Sequence, residues 1–308
     1  MQTQQKHFVW YGSAGSEGGP FMISSVEDYA QWKGSDELLS ERFRIRYDGP
    51  LVNELSPDFE MVQPIYFYSE ASCKEFVLSL LKELYEKQPQ LVMQVKKTAW
   101  DEVMNREYNT LPPHATPDVI EKWMAAWLEH IGLQYNFLLE DKTSFRLIME
   151  AYTDYTQICE MYLNQDEIAI APFGNDAQAL FWDLRPNIVT LALEPTGSEV
   201  LFVTTQDIHK AKALEVIASS DKSYEVGTLN FPTGRGVLAW SPMTQGDLGA
   251  AAGLEPIADL NPPVQLNSLN ILGVGTVFKV KAGKYAVTWG WDNVDEKEFA
   301  WIRISLKE

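Results

Sequence analysis

The residue types that carry most enzymatic chemistry are few and scattered in this chain. Its four histidines, His7, His114, His130 and His209, lie far apart, and neither H-x-x-x-H nor H-E-x-x-H occurs, so the spacing of a zinc site is missing. Cys73 and Cys159 sit in apolar stretches without a C-x-x-C neighbour, which fits neither a metal knuckle nor a redox pair. The turn Gly12-Ser13-Ala14-Gly15-Ser16-Glu17-Gly18-Gly19 invites a phosphate-loop reading, but no Lys-Ser/Thr follows it. Ala14-Gly15-Ser16-Glu17-Gly18 touches the pattern of a nucleophile elbow, which would join a parallel strand to a helix; here an apolar, strand-like run follows instead. Gly273-Val274-Gly275 lacks the third glycine of a dinucleotide fingerprint. Asp292, Asp295, Glu296 and Glu298 could supply paired carboxylates for proton transfer, yet the stretch does not follow the calcium-loop pattern and reads first as a solvated hairpin tip. The sequence therefore writes no metal site and no cofactor site. A hydrolase built on Ser16 remains the enzymatic alternative, and a non-catalytic adaptor subunit is another.

The elements that would position these residues are read from hydrophobic period. Phe8–Tyr11 and Phe21–Ile23 are β-prone runs around the glycine-rich turn, in which Gly18 or Gly19 is expected at positive φ with Pro20 at the head of the next strand. Ser25 is placed to cap a short helix through Trp32, ended by Gly34. Ser69 opens a helix carrying Phe76, Leu80, Leu81 and Leu84. Further helices are expected over 90–107, from Thr116-Pro117-Asp118 through Tyr135, and from Ser144 to Tyr152. Beyond residue 155 short apolar runs alternate with turns, the pattern of antiparallel sheet, interrupted by one helix from Asp207 through Ile217. Residues 246–273 read as a long loop. Val277–Val280 and Tyr285–Trp291 read as a hairpin about Ala282-Gly283-Lys284, followed by Phe299–Leu306. The expected fold is α+β: mainly antiparallel β-sheet, formed by residues 1–67 and 153–308, with a helical insertion over 68–152 packed on it.

Charge is the strongest global signal. The 308 residues hold 43 acidic and 25 basic side chains, a formal net charge of -18, which disfavours phosphate backbones and anionic membrane surfaces; it would steer in a basic partner or serve solubility alone. Hydrophobic residues make up 45% of the chain, enough for a sizeable core. Ten tryptophans serve cores and interface hot spots alike. The N-terminal stretch lacks the apolar run of a signal peptide, and no 18-residue apolar segment occurs, so a cytoplasmic protein is expected. Trp289 and Trp291, two apart on one strand, share a face. With Asp292, Asp295, Glu296 and Glu298 they form a candidate partner-binding patch, an aromatic anchor rimmed by carboxylates; the alternative reading places both indoles in the core and leaves the turn merely solvated.

Several segments resemble one family. Trp10, then Ser16-Glu17-Gly18-Gly19-Pro20 and Trp32-Lys33-Gly34, resemble the N-terminal motif of the immunity protein 21 family of bacterial polymorphic-toxin systems. Asp154-Tyr155 with Ile158-Cys159, the pair of runs about Gly234-Arg235-Gly236, and Ala282–Val287 are similar to its second half. The likeness covers 8–47 and about 154–306; the intervening block lies outside it, and Trp10 stands farther from the serine than is usual. The resemblance implies an antidote: a cytoplasmic protein that binds a cognate protein toxin and occludes its active site, with Trp10, Ser16, Gly18, Gly19, Pro20 and Trp32 as structural motif residues. Toxins that act on nucleic acid carry basic clefts, which an acidic, aromatic-bearing surface can fill.

Overall fold

A computed structural model describes residues 7–36, 40–48, 64–96, 109–128, 133–138, 144–163, 167–183, 188–204, 208–248, 262, 264–267 and 273–307. His130, the turn-forming pairs Gly49-Pro50 and Ser56-Pro57 that interrupt the strand-like run 42–67, residues 97–107 of the second expected helix, the Asp207 helix start and most of the 246–273 loop lie outside them. In chain order the strands are β1 (Val9–Gly15), β2 (Phe21–Ser25), β3 (Phe43–Asp48), β4 (Ile65–Phe67), β5 (Val92–Lys96), β6 (Asn109–Leu111), β7 (Leu133–Leu138), β8 (Ser144–Ala151), β9 (Ile168–Phe173), β10 (Ala177–Trp182), β11 (Ile188–Leu193), β12 (Glu199–Thr204), β13 (Tyr224–Phe231), β14 (Arg235–Trp240), β15 (Val264–Leu266), β16 (Gly275–Lys279), β17 (Gly283–Val294) and β18 (Lys297–Leu306). The α-helices among the described residues are α1 (Val26–Tyr29), α2 (Glu70–Lys87), α3 (Pro117–Trp127), α4 (Asp154–Gln157), which runs into a π-helical turn (Ile158–Tyr162), and α5 (Lys210–Ser219). The protein is mainly antiparallel sheet.

The chain divides into two compact units, Met1–Asp36 with Asp154–Glu308, and Glu37–Thr153. The first holds two six-stranded sheets, ordered β1-β11-β12-β18-β17-β13 and β15-β16-β14-β2-β10-β9. Their inner faces share one core that includes Phe21, Trp182, Phe202, Phe231, Phe278 and Tyr285, the arrangement of a two-layer sandwich. α5 packs Ala213 and Ile217 against Trp301 and Phe299 on the outer face of the first sheet. Val26 and Tyr29 of α1, together with Ile158, cover the outer face of the second.

Several connections in this unit switch sheets rather than turn back on the same one. β1 pairs in the first sheet and β2 in the second. β13 pairs with β17, whereas β14 pairs with β16 and β2. β16 and β17 likewise belong to different sheets, so the hairpin expected at Ala282–Lys284 is a corner between layers; the true hairpin is β17–β18. Two of these corners are tied together. The Val280 amide donates to Gly234 O at 2.8 Å and that of Lys281 to Gly197 O at 2.9 Å, while the Tyr285 hydroxyl lies 2.8 Å from both Gly197 O and Lys281 O.

The second unit has its own sheet, β4-β3-β8-β7-β5-β6, and its own core. Cys73, Val77, Leu81 and Leu84 of α2, with Met124 of α3, pack on Ile45, Leu147, Tyr135 and Met93 of one sheet face. Ser69 caps α2 by accepting the Ser72 amide at 3.2 Å, as its sequence position suggests. Thr116 and Pro117 likewise open α3 where the sequence places its start, but the remaining expectations here need correction. Residues 92–96 and 144–151 form strands, not helices, and α3 ends at Trp127 before β7 begins. β3 and β4, assigned from sequence to the β-rich block, pair in this sheet, so the boundary falls at 36/37 rather than 67/68. The inserted segment is thus sheet and helix together rather than helical.

Candidate functional site

Most of the sequence motif converges on the segment that follows β14. The Trp240 Nε1–H donates to Gly18 O. Pro20 O accepts the Ser241 amide at 3.0 Å and the Ser241 hydroxyl at 2.7 Å. The indole N–H of Trp32, a buried side chain, donates to Ser241 O at 2.7 Å, and its ring meets Phe173 edge-on at 5.0 Å. Gly18 and Gly19 both take positive φ, 136° and 79°, as the turn chemistry requires. A Cβ on Gly19 would lie 2.6 Å from the Tyr155 hydroxyl, and one on Gly34 would lie 2.3 Å from Pro242 O. Gly18, Gly19, Pro20 and Trp32 therefore act as one structural knot. Trp10 is elsewhere: it packs, half-buried, with the cluster under α5, with Lys210 Nζ 5.4 Å from its ring centre.

Ser16 is half-buried between β1 and β2, two strands of different sheets. A nucleophile elbow needs a strand-to-helix turn that lifts its serine clear of the sheet, and this connection does not provide one. Near Gly19, Cys159 on the π-helical turn is hydrogen-bonded to Tyr155, and burial pushes both groups above their ordinary pKa values. Burial also raises the Cys73 thiol, to about 12. Both thiols are thus protonated at neutral pH, the opposite of an activated nucleophile. Among the described residues no group of three or more His, Cys, Asp or Glu is placed to hold a metal ion.

The second candidate is the β17–β18 hairpin. Trp289 and Trp291 do share a face: their rings meet at 5.6 Å in a T-shaped contact, half-buried at the margin of the sandwich core. Asp292 points the other way. It is buried and accepts the Trp301 indole N–H at 2.9 Å, so it supports the core and is not presented to a partner. Val294 pairs with Lys297, which leaves a two-residue loop of Asp295 and Glu296 at φ 50° and 66°. Two positive φ values define the hairpin turn whose twist suits β-strands, and asparagine and glycine usually fill it. Asp295, Glu296 and Glu298 are all exposed. Lys212 Nζ reaches both Asp295 oxygens at 2.8 Å. That bond holds the Asp295 carboxyl below the usual aspartate range, helped by the charges of Lys212 and His209.

Sequence reasoning missed one member of this site. Tyr224 pairs across from Trp289, with ring centres 5.9 Å apart, and is 60% exposed. A register shift between Glu225 and Gly227 marks a bulge at this point, a feature that re-aims side chains. Gly227, lying inside a strand-like run, was the signal for it.

Comparison of the chain with family models, with characterised proteins and with solved structures gave no match. Among the described residues no helix is long and apolar enough to cross a membrane.

Proposed function

We infer that this is a toxin-neutralising immunity protein of the bacterial cytoplasm, which binds a basic cognate toxin through an acidic surface and occludes its active site. The resemblance of the 8–47 and 154–306 segments to the immunity protein 21 family suggests the role, and the net charge of -18 suits a basic partner. The observation that carries the reading is the hairpin tip. Asp295 suits the first left-handed position of its turn, but the second holds Glu296 where glycine would relieve strain. A local rule broken at an exposed position is a mark of function. Asp295, Glu296 and Glu298 are the contact carboxylates of this reading.

The test pairs the chain with the toxin encoded beside its gene. Co-expression should rescue cell growth. The association rate should fall steeply with salt, because steering of this kind is worth roughly 10- to 1000-fold and is screened by ions. The triple variant Asp295→Asn, Glu296→Gln, Glu298→Gln should associate more slowly while keeping its fold by circular dichroism. Rescue and association rates equal to those of the unchanged protein in the triple variant would remove the hairpin from the interface, and failure of the parent chain to bind the toxin would defeat the reading altogether.

A further inference from the structure

The aromatic side of the same hairpin brings three rings and a carboxylate onto one face. Tyr224, Trp289 and Trp291 form a continuous ladder, with neighbouring ring centres 5.9 and 5.6 Å apart. Its outer rung, Tyr224, is mostly exposed, whereas Trp289 and Trp291 are anchored in the core margin. The strand register puts a carboxylate at the other end. Trp291 pairs with Ala300, and the next pair on the same face is Asn293 with Glu298. Same-face neighbours along a sheet are within reach of long side chains. Glu298 therefore stands beside the ladder, while Asp292 and Val294 are turned to the opposite face. The bulge between Glu225 and Gly227 is what lets Tyr224 join the ladder: it shifts the register of β13 just before Tyr224 meets Trp289.

We propose that Tyr224, Trp289, Trp291 and Glu298 form a recognition site for a guanidinium or ammonium group, supplied by an arginine or lysine side chain of the protein partner. Indole and phenol faces attract cations through their ring quadrupoles within about 6 Å, and the carboxylate adds a charge-assisted hydrogen bond. The site rests on the reading of the hairpin as a contact surface and adds to it the chemistry of the group taken up: the tip carboxylates draw a basic partner in, and the ladder seats one of its side chains.

The test uses the full chain labelled with 15N at its tryptophan indoles and a blocked tri-arginine peptide as probe, with blocked tri-glutamate as control. The Trp289 and Trp291 signals are assigned by their loss in Trp289→Phe and Trp291→Phe. Tri-arginine should shift these two signals saturably and tri-glutamate should not. Tyr224→Ala, which removes an exposed ring, should weaken the apparent affinity by about 2- to 30-fold, and Glu298→Gln should weaken it at low salt. The proposal is overturned if tri-arginine moves other indoles but leaves these two in place, or if both variants titrate like the unchanged protein. The peptide experiment needs no toxin. A ladder that binds tri-arginine in a protein that neutralises no toxin would refute the immunity reading alone; a toxin bound through the hairpin with inert indoles would refute the ladder alone.

Discussion

Glu296→Gly gives the sharpest test of the strained turn. Glu296 is held at φ 66° in an exposed hairpin loop. The left-handed region costs an L-residue roughly 1–2 kcal/mol, a cost that glycine escapes. Against that, glycine loses about 0.5–1 kcal/mol more chain entropy on folding. The difference leaves a net gain of about 0–1.5 kcal/mol, with its midpoint at ~0.8 kcal/mol, because the Glu296 side chain is exposed and little packing is lost with it. For a unit of this size that midpoint corresponds to a rise in Tm of roughly 2–3 °C, read by scanning calorimetry or as a higher urea midpoint at unchanged slope. The same substitution removes a contact carboxylate, so it should also slow association with the toxin. Stability and binding would then move in opposite directions, as they do where strain is kept for function. A lower Tm for Glu296→Gly would refute the strain argument, and a higher Tm with undiminished binding would separate the strain from the function.

Two further outcomes follow from geometry described above. Gly34→Ala would press a Cβ to 2.3 Å from Pro242 O at φ +60°; it should cost about 2–4 kcal/mol, seen as a fall in the urea midpoint, and a neutral result would show that the motif knot is loose. Lys212→Met should return the Asp295 carboxyl to the ordinary aspartate range in a 13C-detected titration. The sign follows from its lowered folded value: the pair contributes stability above the unfolded pKa of about 3.9 and loses it as pH falls through the lower folded value, so the variant should be less sensitive than the parent across that acid window.

Features set by nearby residues were legible in the sequence. Ser25 accepts the Asp28 amide at 3.0 Å as an N-cap, Ser69 caps α2, and Gly18 and Gly19 take the positive φ that their turn demands. What failed was period and partnership. In 146–151 the buried residues Leu147, Met149 and Ala151 alternate with Arg146, Ile148 and Glu150, but Ile148 on the polar face blurs a period of two into something that also fits a helix. Leu91 and Val95 are four apart, and Met93 between them decides for the strand. The corner at Ala282–Lys284 defeats local reading for another reason. A short glycine turn between two apolar runs has the same sequence signature whether the strands pair with each other or leave for separate sheets, and here β14 and β15 claim β16 while β13 and β18 claim β17. The site shows the same division: Trp289 and Trp291 were visible by their spacing, whereas Asp292 was lost to Trp301 and Tyr224 was gained through a bulge and a strand 65 residues upstream of Trp289.

The first unit is interrupted in sequence by the second, and this sets an order on synthesis. β1 and β2 are made early, but among the described residues β1 pairs only with β11, and β2 only with β10 and β14. At about 5–20 residues per second, β2 waits of the order of 10 seconds or more for β14, while the whole second unit is made between them. That unit is contiguous and closes its sheet from its own strands, so it can fold first, on the growing chain. During the interval β2, whose five residues are all buried in the finished protein, is an apolar strand without its neighbours, the kind of segment that chaperones hold and that aggregation recruits.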